Sequence, residues 1–324
     1  MELVEIAEPV REYFDNFERE FERKFQSKVP LVDQVVAYLS KKRGKRLRPL
    51  LVFLTAALHG NLTKRTMSAG LVVEMFHTAT LVHDDVVDES KLRRGSRTVN
   101  DIWDNKVSIL IGDLLFSKTL SSIVDLQDTH AVAILSAAAE RITEGELLQI
   151  AFAGESGLTE DDYFDLISKK TAALFSASCQ LGALTVGQNG KAVEQMNDFG
   201  EFYGIAFQIT DDLLDYTGDE QKLGKPTGND LREGKITLPL IYALDHAPVK
   251  ERNRVNEMMQ RGIQTMEEIE YIVQFAKAQG GVDYSIDLVR QYADKALAVL
   301  DAYSDTLAKQ SLMTLVDYSV KRDK

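Results

Sequence analysis

Between residues 68 and 87, apolar side chains fall at Leu71, Val72, Met75, Phe76, Ala79, Val82 and Val86. Steps of three and four put them on a helix face. The same spacing recurs over residues 107–124, 131–152, 163–186, 193–216 and 286–300, and strand-like alternation is scarce. Only six prolines occur in 324 residues, well under the roughly 5% of an average chain, as long helices require. Gly187, Gly190, Gly218 and the Gly280-Gly281 pair fall where helices should stop. No linker or internal repeat divides the chain, so these features predict one all-α domain spanning residues 1–324, with ten or more helices. Residues 217–229, rich in Gly, Lys and Asp, read as its one long loop, and such loops are usually functional.

With 44% hydrophobic residues the chain has ample material for a core. Its single cysteine, Cys179, cannot form an internal disulfide. Together with an N-terminus lacking a secretory pattern, this predicts a cytoplasmic protein. The balance of 38 basic and 50 acidic residues, a net charge of −12, argues against a nucleic-acid partner. The longest uncharged stretch, 171–190, is interrupted by Ser176, Ser178, Gln180, Thr185, Gln188 and Asn189. It reads as a buried core helix, and no integral membrane segment is expected.

The pattern Asp-Asp-x-x-Asp occurs three times, at Asp84/Asp85/Asp88, Asp161/Asp162/Asp165 and Asp211/Asp212/Asp215. The Asp content predicts only about 0.2 chance matches. The middle copy follows Thr159-Glu160 at a helix start, where carboxylates suit the helix dipole, and needs no function. The other two sit at the far ends of long apolar helices. Positions i, i+1 and i+4 share one arc of about 100°, so three carboxylates crowd together and repel unless cations join them. Hard oxygen donors without a His/Cys cluster suit magnesium, held by a few carboxylates and by substrate phosphates.

Six cations lie within residues 41–48, around the turn glycine Gly44. Arg93-Arg94 follows the first acidic cluster, Lys225 and Lys235 follow the second, and Lys169-Lys170 opens the uncharged stretch. Acidic clusters with basic residues nearby fit a metal-bridged polyphosphate.

These segments resemble the trans-isoprenyl diphosphate synthases, and among them the long-chain, octaprenyl-like synthases of quinone biosynthesis. The resemblance is carried by Gly44-Lys-Arg-Leu-Arg-Pro49, the run from His77 to Ser90, Leu92-Arg-Arg-Gly95, Glu144-Gly-Glu-Leu-Leu-Gln149, Lys169-Lys-Thr-Ala172, the run from Phe207 to Tyr216, and Leu223 to Pro239, in the family's order. It implies an isoprenoid synthase helical bundle with a central cavity between two facing Asp-rich helix ends. By the resemblance, Asp84, Asp85, Asp88, Asp211 and Asp212 hold three magnesium ions on an allylic diphosphate, with Asp215 in support. Arg93, Lys170, Lys225 and Lys235 contact the same diphosphate, while Gly44, Lys45, Arg48, His77 and Arg94 hold isopentenyl diphosphate. Thr171 and Gln208 lie along the reacting carbons, and a homodimer is the default assembly.

In relatives making short products, bulky residues four and five positions before the first Asp block the growing chain. Here these are Thr80 and Ala79, both small, with Phe76 the next obstruction on the helix. The expectation is a heptaprenyl or octaprenyl product, with a farnesyl or geranylgeranyl diphosphate synthase as the short-chain alternative. A helical phosphohydrolase could use His83-Asp84 with His59, His77 and His130, but it leaves the second cluster unexplained. The second cluster is also unlike the Asn/Ser/Thr-Glu motif of terpene cyclases. A non-catalytic regulatory subunit is the remaining rival.

Overall fold

The computed structural model describes residues 3–41, 44–93, 95–152, 157–217 and 228–320. Arg94, Lys225, the rest of loop 218–227 and the C-terminal Lys321–Lys324 therefore lie outside the described residues. The chain forms two compact units, each assembled from three separate stretches: Met1–Ala137, Leu174–Gly200 and Leu300–Leu315 in the first; Ala138–Ala173, Glu201–Val299 and Val316–Lys324 in the second.

The first unit is built on α1 (Arg11–Phe25), α2 (Pro30–Lys41), α3 (Leu47–His59), α4 (Lys64–Val87) and α5 (Asn105–Val124). In α1, Phe17, Phe21 and Phe25 recur every fourth residue and are all buried, forming the stripe that packs on the core. Phe17 meets Phe53 of α3 edge-on, with ring centroids 6.1 Å apart. Helix α4 starts at a reciprocal cap, in which the Thr66 N–H donates to Thr63 Oγ1 while the Thr63 N–H donates to Thr66 Oγ1 at 3.1 Å. From there α4 runs against both α3 and α5. The first acidic cluster ends it, with Asp88 as the C-cap.

Helix α6 (Thr129–Phe152) is followed by α7 (Glu160–Ile167), a π-helical turn (Ser168–Ala172), α8 (Ala173–Thr185) and α9 (Lys191–Thr217). The core of the second unit gathers Tyr163, Ile209, Leu213 and Tyr216 with Leu238 and Ile241 of α10 (Leu238–His246) and Ile272 of α12 (Met266–Ala278). Helix α11 (Val249–Gln260) lies between α10 and α12 in sequence. After them come α13 (Gly281–Leu300) and α14 (Leu307–Val320).

The all-α expectation holds, with two local departures. The stretch 163–186 is not one regular helix, because the π turn interrupts it between α7 and α8. A two-residue antiparallel ribbon, β1 (Leu92–Arg93) with β2 (Ser96–Arg97), follows α4 and turns through Gly95 at φ 71°. The middle acidic cluster is a helix start, as read: the Asp162 N–H donates to Thr159 Oγ1 at 3.2 Å, and Asp165 pairs with Lys169 at 2.9 Å. Among the described helices, α5 alone is long and apolar enough to cross a membrane, and 39% of its apolar window is buried within the chain.

Candidate active site

The two remaining acidic clusters occupy the C-terminal ends of α4 and α9, and neither helix carries a basic residue in its last turn. A helix C-terminus carries partial negative charge, so carboxylates there are doubly unfavourable without a cation. This placement is the opposite of that of Asp161-Asp162, which sit at the positive end of α7. Among the described residues, no group of three or more His, Cys, Asp or Glu side chains converges into a self-sufficient metal cage. Magnesium does not require one, since it keeps waters and takes substrate phosphate oxygens alongside one or two carboxylates.

Within each cluster the members differ. On α4, Asp85 is buried and accepts from Arg93 Nε at 2.6 Å, whereas Asp84 is half-buried and Asp88 exposed. The β ribbon makes the Asp85 contact possible, because it turns the chain back and returns Arg93 toward the helix that precedes it. On α9, Asp211 is exposed, and Asp212 is buried with a protein donor on each oxygen. Gln208 Nε2 donates to its Oδ1 at 2.7 Å, and the Tyr163 hydroxyl donates to its Oδ2 at 2.6 Å. Asp215 accepts from the Asp230 N–H at 3.0 Å.

This crowding is visible in the protonation equilibria. Burial, then repulsion from Asp230, hold the Asp212 carboxyl well above the ordinary carboxylate range, against the opposing effect of its two donors. Burial, then the Asp215 charge, push Asp230 up to about 7, with Lys235 opposing. The site thus disfavours its own negative charge when no cation is bound.

Lys170 and Thr171 lie on the π turn. Lys170 Nζ contacts Glu146 Oε2 at 2.7 Å and Gln149 Oε1 at 2.9 Å, both on α6. Thr171 Oγ1 donates to Gln208 Oε1 at 2.7 Å, so that Thr171, Gln208, Asp212 and Tyr163 form one chain of hydrogen bonds. The turn is braced from outside: Arg141 Nη2 donates to Ser168 Oγ at 2.7 Å and to Glu201 Oε1 at 2.8 Å. Lys235 pairs with Glu233 at 2.7 Å. Sequence reasoning missed Tyr163, Asp230 and the Arg141–Ser168–Glu201 brace, whose partners are far apart in the chain. The conjunction of Glu146 and Gln149 with Lys170 was signalled only by their shared presence among the motif segments.

In the first unit, Arg48 Nη1 lies 3.0 Å from His77 Nε2, and its guanidinium lies over the Phe175 ring at 4.4 Å. An arginine only donates, so in this contact Nε2 of His77 is the accepting nitrogen. Lys45 is exposed and Gly44 half-buried beside it. Ala79 is fully buried, Thr80 is half-buried and donates to its own helix at His77 O, and Phe76 packs its ring edge-on against Phe116 of α5 at 5.2 Å.

A family model described as polyprenyl synthetase matches residues 29–276. The octaprenyl diphosphate synthase of Escherichia coli (strain K12) is 35% identical over 92% of this chain and 92% of its own. Heptaprenyl diphosphate synthase component 2 of Geobacillus stearothermophilus is 36% identical over 94% of each chain. The crystal structure of a polyprenyl synthase from Caulobacter crescentus CB15, complexed with calcium and isoprenyl diphosphate, superposes with a TM-score of 0.94 at 34% identity. It covers 100% of this chain and 98% of that one. Two acidic clusters at helix C-termini, the cations around them and this match over the whole chain agree: the chain belongs to the polyprenyl synthetase family, the trans-prenyltransferases that join isopentenyl diphosphate to an allylic diphosphate.

Proposed function

We propose that the chain extends farnesyl or geranylgeranyl diphosphate with isopentenyl diphosphate to an all-trans product of seven or eight isoprene units. The observation that carries the chemistry is the pair of Asp clusters at helix C-termini, where a cation offsets both the helix dipole and carboxylate repulsion. Asp84, Asp88 and Asp211 are the carboxylates that hold magnesium, three ions in all: Asp88 and Asp211 are exposed and Asp84 is half-buried. Asp85, Asp212 and Asp215 already accept from Arg93, from Gln208 and Tyr163, and from the Asp230 N–H, and they hold the cluster's shape. Bound magnesium supplies neutralisation of the diphosphate and of the charge that grows on it as it leaves.

The protein's own groups do the rest. Lys170 has three N–H donors and uses two on Glu146 and Gln149, leaving the third for a diphosphate oxygen. Arg93, Lys225 and Lys235 serve the same diphosphate. Lys45, Arg48 and Arg94, with Gly44 and His77, seat isopentenyl diphosphate, and holding the two substrates together supplies much of the acceleration. The C1–O bond of the allylic diphosphate breaks, the isopentenyl double bond attacks the resulting cation, and a proton passes to the released pyrophosphate. Thr171 and Gln208 lie beside the reacting carbons and exclude water from that cation.

Gly145 on α6 faces the π turn, and a Cβ there would stand 2.7 Å from the Lys170 backbone nitrogen. Gly145→Ala therefore lowers kcat by about tenfold through displaced Lys170, in line with the effect of small misplacements in a reactive geometry. Overpacking of about 1–3 kcal/mol accompanies it, readable as a fall in Tm of several degrees.

Small residues at 79 and 80, with Phe76 packed on Phe116 and not alone on its face, support a long product. Leu110, Leu120 and Val124 are exposed on α5, which supports a homodimer as the working assembly. A cytoplasmic enzyme supplying quinone side chains is the setting this reading implies. The test is incubation of the purified chain with isopentenyl diphosphate, farnesyl diphosphate and magnesium, followed by mass spectrometry of the dephosphorylated products. A ladder ending at the heptaprenyl or octaprenyl mass is expected. A ladder ending at the geranylgeranyl mass sinks the length assignment, and no elongation from any primer makes the chain a regulatory subunit.

A further inference from the structure

One of the six cations in residues 41–48, Arg46, is already paired with two carboxylates. Arg46 precedes α3 at φ 51°, a left-handed conformation uncommon for a residue with a side chain. Its side chain is only 10% exposed and is pinned between two helices of the same unit. Nε donates to Glu18 Oε1 of α1 at 2.8 Å, and Nη1 donates to Glu74 Oε1 of α4 at 2.5 Å. The guanidinium lies over the Phe21 ring at 4.8 Å. Glu74 is itself buried, its side chain 7% exposed. To reach a diphosphate, Arg46 would have to abandon two carboxylates and leave Glu74 as an uncompensated buried charge.

The same residue starts α3, since the Leu50 N–H donates to the Arg46 carbonyl at 3.1 Å. Two residues on, in the first turn of that helix, Arg48 meets His77 and Phe175. One residue back stands Lys45. The Arg46 side chain therefore sets where α3 begins relative to α1 and α4, and with it the direction in which both flanking cations point. A lysine could not replace it, because only the forked guanidinium reaches both carboxylates at once.

We propose that Arg46 is a positioning residue for isopentenyl diphosphate: clamped by Glu18 and Glu74, it fixes the left-handed turn from which Lys45 and Arg48 reach the diphosphate, and it does not touch the substrate. This rests on the assignment of Lys45, Arg48 and His77 to that diphosphate.

The test compares Arg46→Met, Arg46→Lys, Glu18→Gln, Lys45→Ala and Arg48→Ala in the full-length chain, with KM measured separately for isopentenyl and allylic diphosphates. Arg46→Met is expected to raise the KM for isopentenyl diphosphate about tenfold and that for the allylic substrate far less, with Arg46→Lys between it and the native chain. Glu18→Gln decides between clamp and ligand, and it keeps the fold testable if Arg46→Met does not fold. Loosening the clamp raises the KM for isopentenyl diphosphate if Arg46 positions its neighbours, and lowers it if Arg46 is a diphosphate ligand released from its partner. A fall in that KM, or equal rises for both substrates, overturns the proposal. If Lys45→Ala and Arg48→Ala leave the KM for isopentenyl diphosphate at the native value, the pocket assignment has failed instead, whatever Arg46→Met does.

Discussion

Asp211→Asn lowers kcat by about a hundred- to a thousandfold, the scale on which removal of one charge-stabilising group acts in a preorganised site. Asp212→Asn costs about ten- to a hundredfold, the range for groups that orient metal ligands. The two are neighbours on α9, so the contrast isolates environment from position. Asp211 is exposed. Asp212 is buried, with Gln208 on one oxygen and Tyr163 on the other. An Asn at 212 keeps a carbonyl to accept from one donor and loses the second interaction. An Asn at 211 removes charge from the place where, by this reading, charge meets metal. Steady-state kinetics across a magnesium titration read the difference directly. Asp211→Asn should shift the magnesium requirement upward and lower kcat at saturation. Tyr163→Phe should give a smaller loss with little change in that requirement. Equal penalties at 211 and 212, or a larger one at 212, would reverse the division between metal-holding and shape-holding carboxylates.

What was legible in the sequence divides along the range of the interactions involved. Helical spacing alone located α4 and α9, and a cluster at the end of a periodic stretch is necessarily at a helix terminus. The harmless nature of Asp161-Asp162 was equally local, because Thr159 and Asp162 cap one another within four residues. By contrast, the π turn at Ser168–Ala172 has no local signature. Nothing in Ser-Lys-Lys-Thr-Ala forbids an ordinary helix; the turn meets Gly145 and is held through Arg141 and Glu201, supplied from 23 or more residues away by α6 and α9. The ribbon that brings Arg93 to Asp85 is two residues long per strand, too short for alternation to register. Arg46 shows the same limit in reverse. Its charge marked it as one of a phosphate-binding group, and only the packing of α1 and α4 reveals that two carboxylates already own it.

Ala79→Phe shortens the product to fifteen or twenty carbons. Ala79 lies five residues before Asp84 on α4, about 7.5 Å along the axis at 1.5 Å per residue, and it is fully buried. Phe76 lies eight residues before Asp84, about 12 Å along the axis, and its ring is engaged with Phe116 on α5. A benzyl group at 79 would therefore stand between the carboxylates and the Phe76–Phe116 pair. The same burial makes the substitution disruptive, since overpacking costs about 1–3 kcal/mol where the core cannot give, so Tm must be read beside product length. Thr80→Phe provides the gentler version: Thr80 is half-buried and its hydroxyl bonds to its own helix at His77. The two substitutions point about 100° apart around α4, and a tunnel along this helix should respond to each by its own amount. If both folded variants still release the native product, Ala79 and Thr80 only pack α4 against its neighbours. The limit on chain length must then be set on another helix, with Ile142–Phe152 of α6 the segment to substitute next.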